Sequence, residues 1–251
     1  GHPPGREAYF AFNHGDVHVI CLTALVAVSP TSQMVQWLHD DLATAGAGWV
    51  IVYFNHGPYS AGPHDSDMDS KMTSMREIVM PVLEEYGVDL VLGGYSHNYE
   101  RSYLIDGAYD TPTTAAGHVV DSGDGRPSGD GAYEKGIGMV PHDGTVCVIA
   151  GHGAGGGSSN THPLMGFSTS GPGSCLIRIE DNVLEFFNLQ ATGEITDEFV
   201  IVKKEQLDCI GDYTLDLQVD VDDLLAVIAG WGNPHDVDDL LDVIAGWGAC
   251  K

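Results

Sequence analysis

Between residues 49 and 92 the chain runs apolar strand, amphipathic helix, apolar strand, and this order limits its possible folds more than any other feature. Trp49 to Phe54 and Val88 to Leu92 are continuous apolar runs, as expected of strands buried on both faces of a parallel sheet. Between them Met72, Met75, Val79, Val82, Leu83 and Tyr86 recur at helical spacing, with a candidate kink at Pro81 and a stop at Gly87. A right-handed crossover makes the strands parallel, so the loops after Phe54 and Leu92 emerge at one sheet edge, where α/β sheets place their chemistry. The expected class is α/β.

Both loops carry histidine. Asn55-His56-Gly57-Pro58-Tyr59 follows the first strand, and Gly93-Gly94-Tyr95-Ser96-His97-Asn98-Tyr99-Glu100-Arg101 follows the second. An imidazole just past a buried strand suits a rigid metal site, because the sheet fixes its position. A loop histidine satisfied by backbone is the better account of any one of them; two on one edge favour a site. Gly151-His152-Gly153, after a strand ending at Ala150, nominates His152 as a further ligand on periodicity alone.

Elsewhere the pattern predicts a hairpin from Tyr9–Phe12 and Val17–Thr23, and a helix from Ser32 carrying Met34, Trp37, Leu38 and Leu42 and stopped by Gly46 and Gly48. Residues 107–144, rich in Gly, Asp, Pro and Thr, are expected to be a long surface excursion. Strands follow at Thr145–Ala150, at Cys175–Ile179 and Val183–Leu189 around Asp181-Asn182, and at Glu198–Val202. A main domain is expected over 1–204 and an appendage over 205–251. The appendage repeats itself, with 219–232 matching 235–248 and each copy ending Gly-Trp-Gly.

The net charge of −26 argues against nucleic-acid binding, and no apolar run is long enough to span a bilayer. Cys21, Cys147 and Cys175 sit in apolar runs and are expected to be inert thiols, whereas Cys209 and Cys250 bracket the appendage and are expected to bridge it. Such a bridge implies a secreted or cell-surface location. The chain begins Gly1-His2-Pro3-Pro4 without an initiator Met or a signal peptide, so an upstream segment is expected.

Residues 49–70, Trp-Val-Ile-Val-Tyr-Phe-Asn-His-Gly-Pro-Tyr-Ser-Ala-Gly-Pro-His-Asp-Ser-Asp-Met-Asp-Ser, resemble the Trp-His-His-Pro-Pro-Tyr and Gly-Ser-His-Asp-Ser-Asp segments of bacterial purple acid phosphatases. Gly94 to Ser102 is similar to that family's Gly-His-x-His-x-Tyr-Glu-Arg-Ser, and ordered matches run from about residue 8 to 202. The resemblance implies a four-layer metallophosphoesterase sandwich, two mixed sheets flanked by helices, here N-terminally incomplete. It implies hydrolysis of phosphate monoesters at a dinuclear centre of iron with zinc, manganese or iron, whose charge and bound hydroxide attack phosphorus.

Residue by residue, it places His97 as a ligand of one metal. The histidines expected of the other metal fall on Asn55 and Tyr95, oxygen donors less suited to zinc than imidazole, with His56 adjacent. His64 matches the histidine that faces the substrate and assists the leaving group. His152 has no counterpart among the ligands. The family's earlier Gly-Asp-x-Gly, Gly-Asp-x-x-Tyr and Gly-Asn-His motifs do not occur before Tyr9, so a complete two-metal site is not expected from these residues.

The run Asp212 to Asp223 resembles a dockerin calcium loop, which implies Asp212, Thr214, Asp216 and Asp223 as side-chain donors and Gln218 as a backbone donor. Leu217 stands where that loop needs glycine, so any Ca2+ site is expected to be weak. The resemblance also implies a cohesin-like or cell-envelope partner. Without calcium, two acidic helices should still pack Leu224, Val227 and Ile228 against Leu240, Val243 and Ile244. The competing account of the whole chain is a non-catalytic secreted binding or assembly module on a metal-free phosphoesterase scaffold, motivated by Asn55 and Tyr95.

Overall fold

Strand Trp49–Tyr53 shows how this sequence builds layers. Its side chains alternate, Val50 and Val52 joining one buried cluster with the helices while Trp49 and Ile51 join another facing a second sheet. A strand covered on both faces must be apolar throughout, which is why the run shows no polar alternation. The computed structural model describes residues 8–157, 162–205, 218–231 and 237–249. The chain divides into two compact units, Gly1–Lys204 and Glu205–Lys251.

The first unit runs β1 (Phe10–His14), β2 (Val17–Cys21), α1 (Gln33–Ala45), β3 (Trp49–Tyr53), α2 (Ser70–Ser74), a π-helical turn (Met75–Val79), α3 (Met80–Glu85), β4 (Leu90–Gly93) and β5 (Tyr99–Ile105). It continues with β6 (Val119–Asp121), β7 (Tyr133–Gly136), β8 (Thr145–Ala150), β9 (Met165–Thr169), β10 (Gly173–Glu180), β11 (Val183–Gln190) and β12 (Ile195–Lys204). The larger sheet has the order β1-β2-β3-β4-β8-β5-β6, with β9 also on β5, and the smaller has the order β10-β11-β12-β7. Both are mixed: β2, β3, β4 and β8 are parallel and β5 antiparallel in one, while β7 runs parallel to β12 in the other. This is the expected α/β sandwich of metallophosphoesterase type, and the described residues supply three of its four layers. On the outer face of the smaller sheet Leu176 and Arg178 stand exposed.

Several expectations hold in detail. The β1–β2 and β10–β11 hairpins form, the latter closing over Asp181 in a left-handed conformation. Gly46 ends α1 with φ of 54°. The kink foreseen at Pro81 is a π-helical turn: proline lacks an N–H, so the ladder widens just before α3.

The excursion at 107–144 needs correction. Tyr133–Gly136 is a strand of the smaller sheet, with Tyr133 and Lys135 buried. Lys135 Nζ lies 3.0 Å from Asp89, and Lys203 of β12 lies 2.9 Å from the same carboxylate, so an ion cluster fixes the strand where hydrophobic period gives no sign of it. Among the cysteines, Cys147 is buried, with burial pushing its thiol up, but Cys21 and Cys175 are only partly covered.

The second unit contains β13 (Gln218–Val219), α4 (Val221–Ala229), α5 (Val237–Gly246) and β14 (Gly248–Ala249), with Gln218 paired to Ala249. Asp220 caps α4, and Asp223 Oδ2 returns to accept from the Asp220 N–H at 2.9 Å. Val219, Val227 and Val243 form its core with Leu224 and Leu240. Ile228 and Ile244, expected inside, are instead 54% and 58% exposed, because each helix turns a valine inward at that level. Asp212, Thr214, Asp216, Cys209 and Cys250 lie outside the described residues.

Candidate functional site

Three loops converge at the carboxyl edge of the parallel strands, and glycine permits it. The Asn55 carbonyl accepts from the N–H groups of Gly57, Gly94 and Tyr95, which ties the loop after β3 to the loop after β4. A methyl on Gly93 would fall 2.6 Å from the Gly57 Cα and 2.9 Å from Ile149. A methyl on Gly151, after β8, would fall 2.0 Å from the Ser96 carbonyl oxygen.

On this frame the rings stack. Tyr95 lies between His56, at 4.3 Å and 30°, and His64, at 4.0 Å and 24°, while His97 meets His64 edge-on at 5.9 Å. His56 is buried, Tyr95 and His64 are half-buried, and His97 and Asn55 are exposed. Burial, with the Lys71 charge adding to it, pulls the His56 imidazole below the ordinary histidine range, and its Nδ1 is buried with no hydrogen-bond partner. His56 is therefore a neutral ring with an unmet nitrogen, which a metal or a polar ligand would satisfy.

The loop holding His64 is anchored by residues that sequence reasoning gave no role. Arg76, fully buried, donates to the carbonyls of Pro58 and Ser66 at 3.1 Å each and pairs with Asp67 at 3.0 Å. Asp67 also accepts from the Thr113 N–H and hydroxyl. Glu100 accepts from the Ser60 hydroxyl and, at 3.1 Å, from the Ala61 N–H; the His64 N–H donates to Ser96 Oγ at 3.3 Å. Glu100, whose carboxyl burial pushes up, thus positions the loop, while Arg101 turns away to Asp197 at 2.7 Å. The Glu-Arg pair inside the second motif was the available signal, with Glu100 placing the loop and Arg101 bound to Asp197.

His152 does not join the site. It is buried, with Nε2 2.8 Å from Asn188 Oδ1 and its ring edge-on to Tyr99 at 5.5 Å, so β11 claims it. Periodicity placed it at the correct edge but could not show which way the ring faces.

A dinuclear centre needs two donor sets and a shared ligand. Among the described residues no three His, Cys, Asp or Glu ligand atoms converge here, and the imidazoles are joined only by the neutral donors of Asn55 and Tyr95 in the set read from sequence. The unmet His56 nitrogen fits part of a metal site, but these residues do not fit a complete two-metal centre.

No family model matches the chain. It is 29% identical over 103 residues to purple acid phosphatase 15 of Arabidopsis thaliana, covering 39% of this chain and 18% of that protein. To purple acid phosphatase 18 of the same plant it is 29% identical over 123 residues, covering 47% and 27%. The chain therefore spans about a quarter or less of these relatives. A solved yellow lupin purple acid phosphatase, PPD1, is similar with a TM-score of 0.62 and 18% identity over 80% of this chain and 34% of that one. The first unit is a metallophosphoesterase-like region, and its similarity is to phosphatase-type hydrolases.

Proposed function

We propose that the edge carrying His56, His64, Tyr95 and His97 is the histidine-bearing part of a phosphoesterase site that takes phosphate monoesters. The observation that carries this is the stack of Tyr95 between two imidazoles with a third edge-on, at the strand ends and in a region similar to phosphatases. His64, half-buried and held through its backbone by Ser96, is the general acid that gives a proton to the leaving oxygen. His56, kept neutral by burial, and exposed His97 supply nitrogen donors; Asn55 and Tyr95 are the oxygen donors beside them. Arg76 and Glu100 keep the His64 loop in register.

The test is release of phosphate from an aryl phosphate monoester by the full chain, supplied with iron, zinc and manganese. Turnover should fall at least ~100-fold in His64→Ala. Equal release by wild type and His64→Ala, or none by either, rejects the assignment.

For the second unit, the matched exposed residues Leu225, Ile228, Trp231 and Leu241, Ile244, Trp247 support a protein-docking role of the kind the dockerin resemblance implies. Capture of a cohesin-type partner by the full chain, lost in Trp231→Ser with Trp247→Ser, is the expected result. Capture unaffected by the two changes would remove these faces from consideration.

A further inference from the structure

The opposite edge of the larger sheet holds a second polar cluster that the phosphoesterase assignment does not use. There α3 ends, β5 ends and β8 begins, since β5 runs antiparallel to β8 with Ile105 opposite Thr145. Glu84 comes from α3, Asp106 follows β5 and His142 lies ahead of β8, and ligand atoms of all three fall within 4.8 Å of one another. Strands of this length put the two edges roughly 15 Å apart, at about 3.3 Å per residue.

Glu84 is only 1% exposed. Its Oε2 accepts from the Gly107 N–H at 2.8 Å and from the Tyr109 hydroxyl, while Oε1 is buried with no hydrogen-bond partner. One oxygen is thus held in place and the other has no donor, in a carboxylate with a ligand atom within 4.8 Å of those of Asp106 and His142. A buried carboxylate oxygen without a donor is costly, so its persistence needs a proton or a cation.

The other two groups are also held. The His142 N–H donates to the Glu84 carbonyl at 2.9 Å, in a left-handed conformation with φ of 57°, and Nδ1 lies 3.0 Å and 3.3 Å from the two Asp106 oxygens. Gly87, with φ of 66°, lets the loop close on the helix end, since a methyl there would meet the Val140 carbonyl oxygen at 2.3 Å. The backbone bond holds His142 at the helix end, and the Nδ1 contact shows that its imidazole and the Asp106 carboxylate reach one another.

We propose that Glu84, Asp106 and His142 bind one divalent transition ion of the zinc or manganese class. Two carboxylates with an imidazole suit these ions, whereas calcium and magnesium take oxygen donors. The site stands apart from the phosphoesterase assignment and survives its failure.

The experiment is Zn2+ binding by equilibrium dialysis, with Co2+ absorption as the spectroscopic partner, on the full chain. Wild type is compared with His142→Ala, Asp106→Asn and, as a control, His14→Ala, an exposed histidine of β1 outside both edges. The His142 and Asp106 side chains are 56% and 24% exposed, so replacing them should leave the fold intact by circular dichroism. One tightly bound zinc, weakened at least ~10-fold by either change and retained in His14→Ala, is expected. Binding indifferent to both changes, or no stoichiometric zinc in wild type, would overturn the proposal and leave a shared proton only. Should either variant misfold, the His142 imidazole resonance of wild type decides: it must shift with stoichiometric Zn2+, and no shift overturns the site.

Discussion

At the carboxyl edge of the parallel strands three imidazoles gather around a tyrosine; at the amino edge one imidazole faces two carboxylates. The carboxyl edge is assembled by loops that approach through glycine at Gly57, Gly93 and Gly151, and its unmet atom is a neutral ring nitrogen. The amino edge is assembled on the end of α3, and its unmet atom is a carboxylate oxygen. One sheet thus carries imidazoles and a phenol at one edge and two carboxylates with an imidazole at the other. The difference follows from which side chains the strand ends deliver.

The sharpest way to break the contrast is to collapse one edge alone. Arg76→Met removes the buried cation that holds Asp67 and two carbonyls of the His64 loop. Chemical denaturation should show a loss of about 3–5 kcal/mol, the cost of breaking a buried pair from one side. Phosphatase turnover should vanish, while zinc binding that depends on His142 persists in the folded fraction. Gly93→Ala comes next: its methyl meets Gly57 and Ile149, and about 1–3 kcal/mol of overpacking should appear as a lower melting temperature together with slower turnover.

The amino edge has its own signature in pH. The folded Glu84 carboxyl titrates at about 8, above its ordinary value of 4.5, so the native state holds a proton that the unfolded chain has released. Its favourable contribution is complete below 4.5 and is lost as pH rises through 8, with Asp106, His142 and Tyr109 facing it. Stability measured without metal should therefore fall across that window in wild type, with a shallower slope in Glu84→Gln. Bound zinc should reduce the slope as well, by displacing the proton. An identical slope in Glu84→Gln would remove Glu84 from the account.

The smallest expected effect separates packing from ligation at Tyr95. Tyr95→Phe keeps the ring between His56 and His64 and should change inorganic phosphate affinity less than about twofold, because the stack is retained. Loss of metal alongside unchanged phosphate affinity would assign the phenol oxygen to the metal and the ring to packing.

The carboxyl edge was legible in the sequence because a strand, helix, strand unit with apolar runs allows one topology, and His56 and His97 follow its strands directly. Direction of side chains was not legible: His152 stands at the same edge yet turns to Asn188. Neither was the anchoring by Arg76, paired with Asp67, and by Glu100, hydrogen-bonded to Ser60 and Ala61, since buried polar contacts have no hydrophobic period to betray them. The same reason hid β7, which enters the smaller sheet through Lys135 and Asp89. Glu84, Asp106 and His142 are far apart in sequence and share no motif, so only the register of β5 with β8 brings them together.

The most direct test is one set of imidazole nitrogen–proton NMR spectra of the full chain, assigned by single replacements and titrated first with inorganic phosphate and then with Zn2+. The account predicts that phosphate moves His56, His64 and His97 and leaves His142 in place, and that the first equivalent of zinc moves His142. Phosphate shifts confined to His142, or no response from His56, His64 and His97, would contradict it.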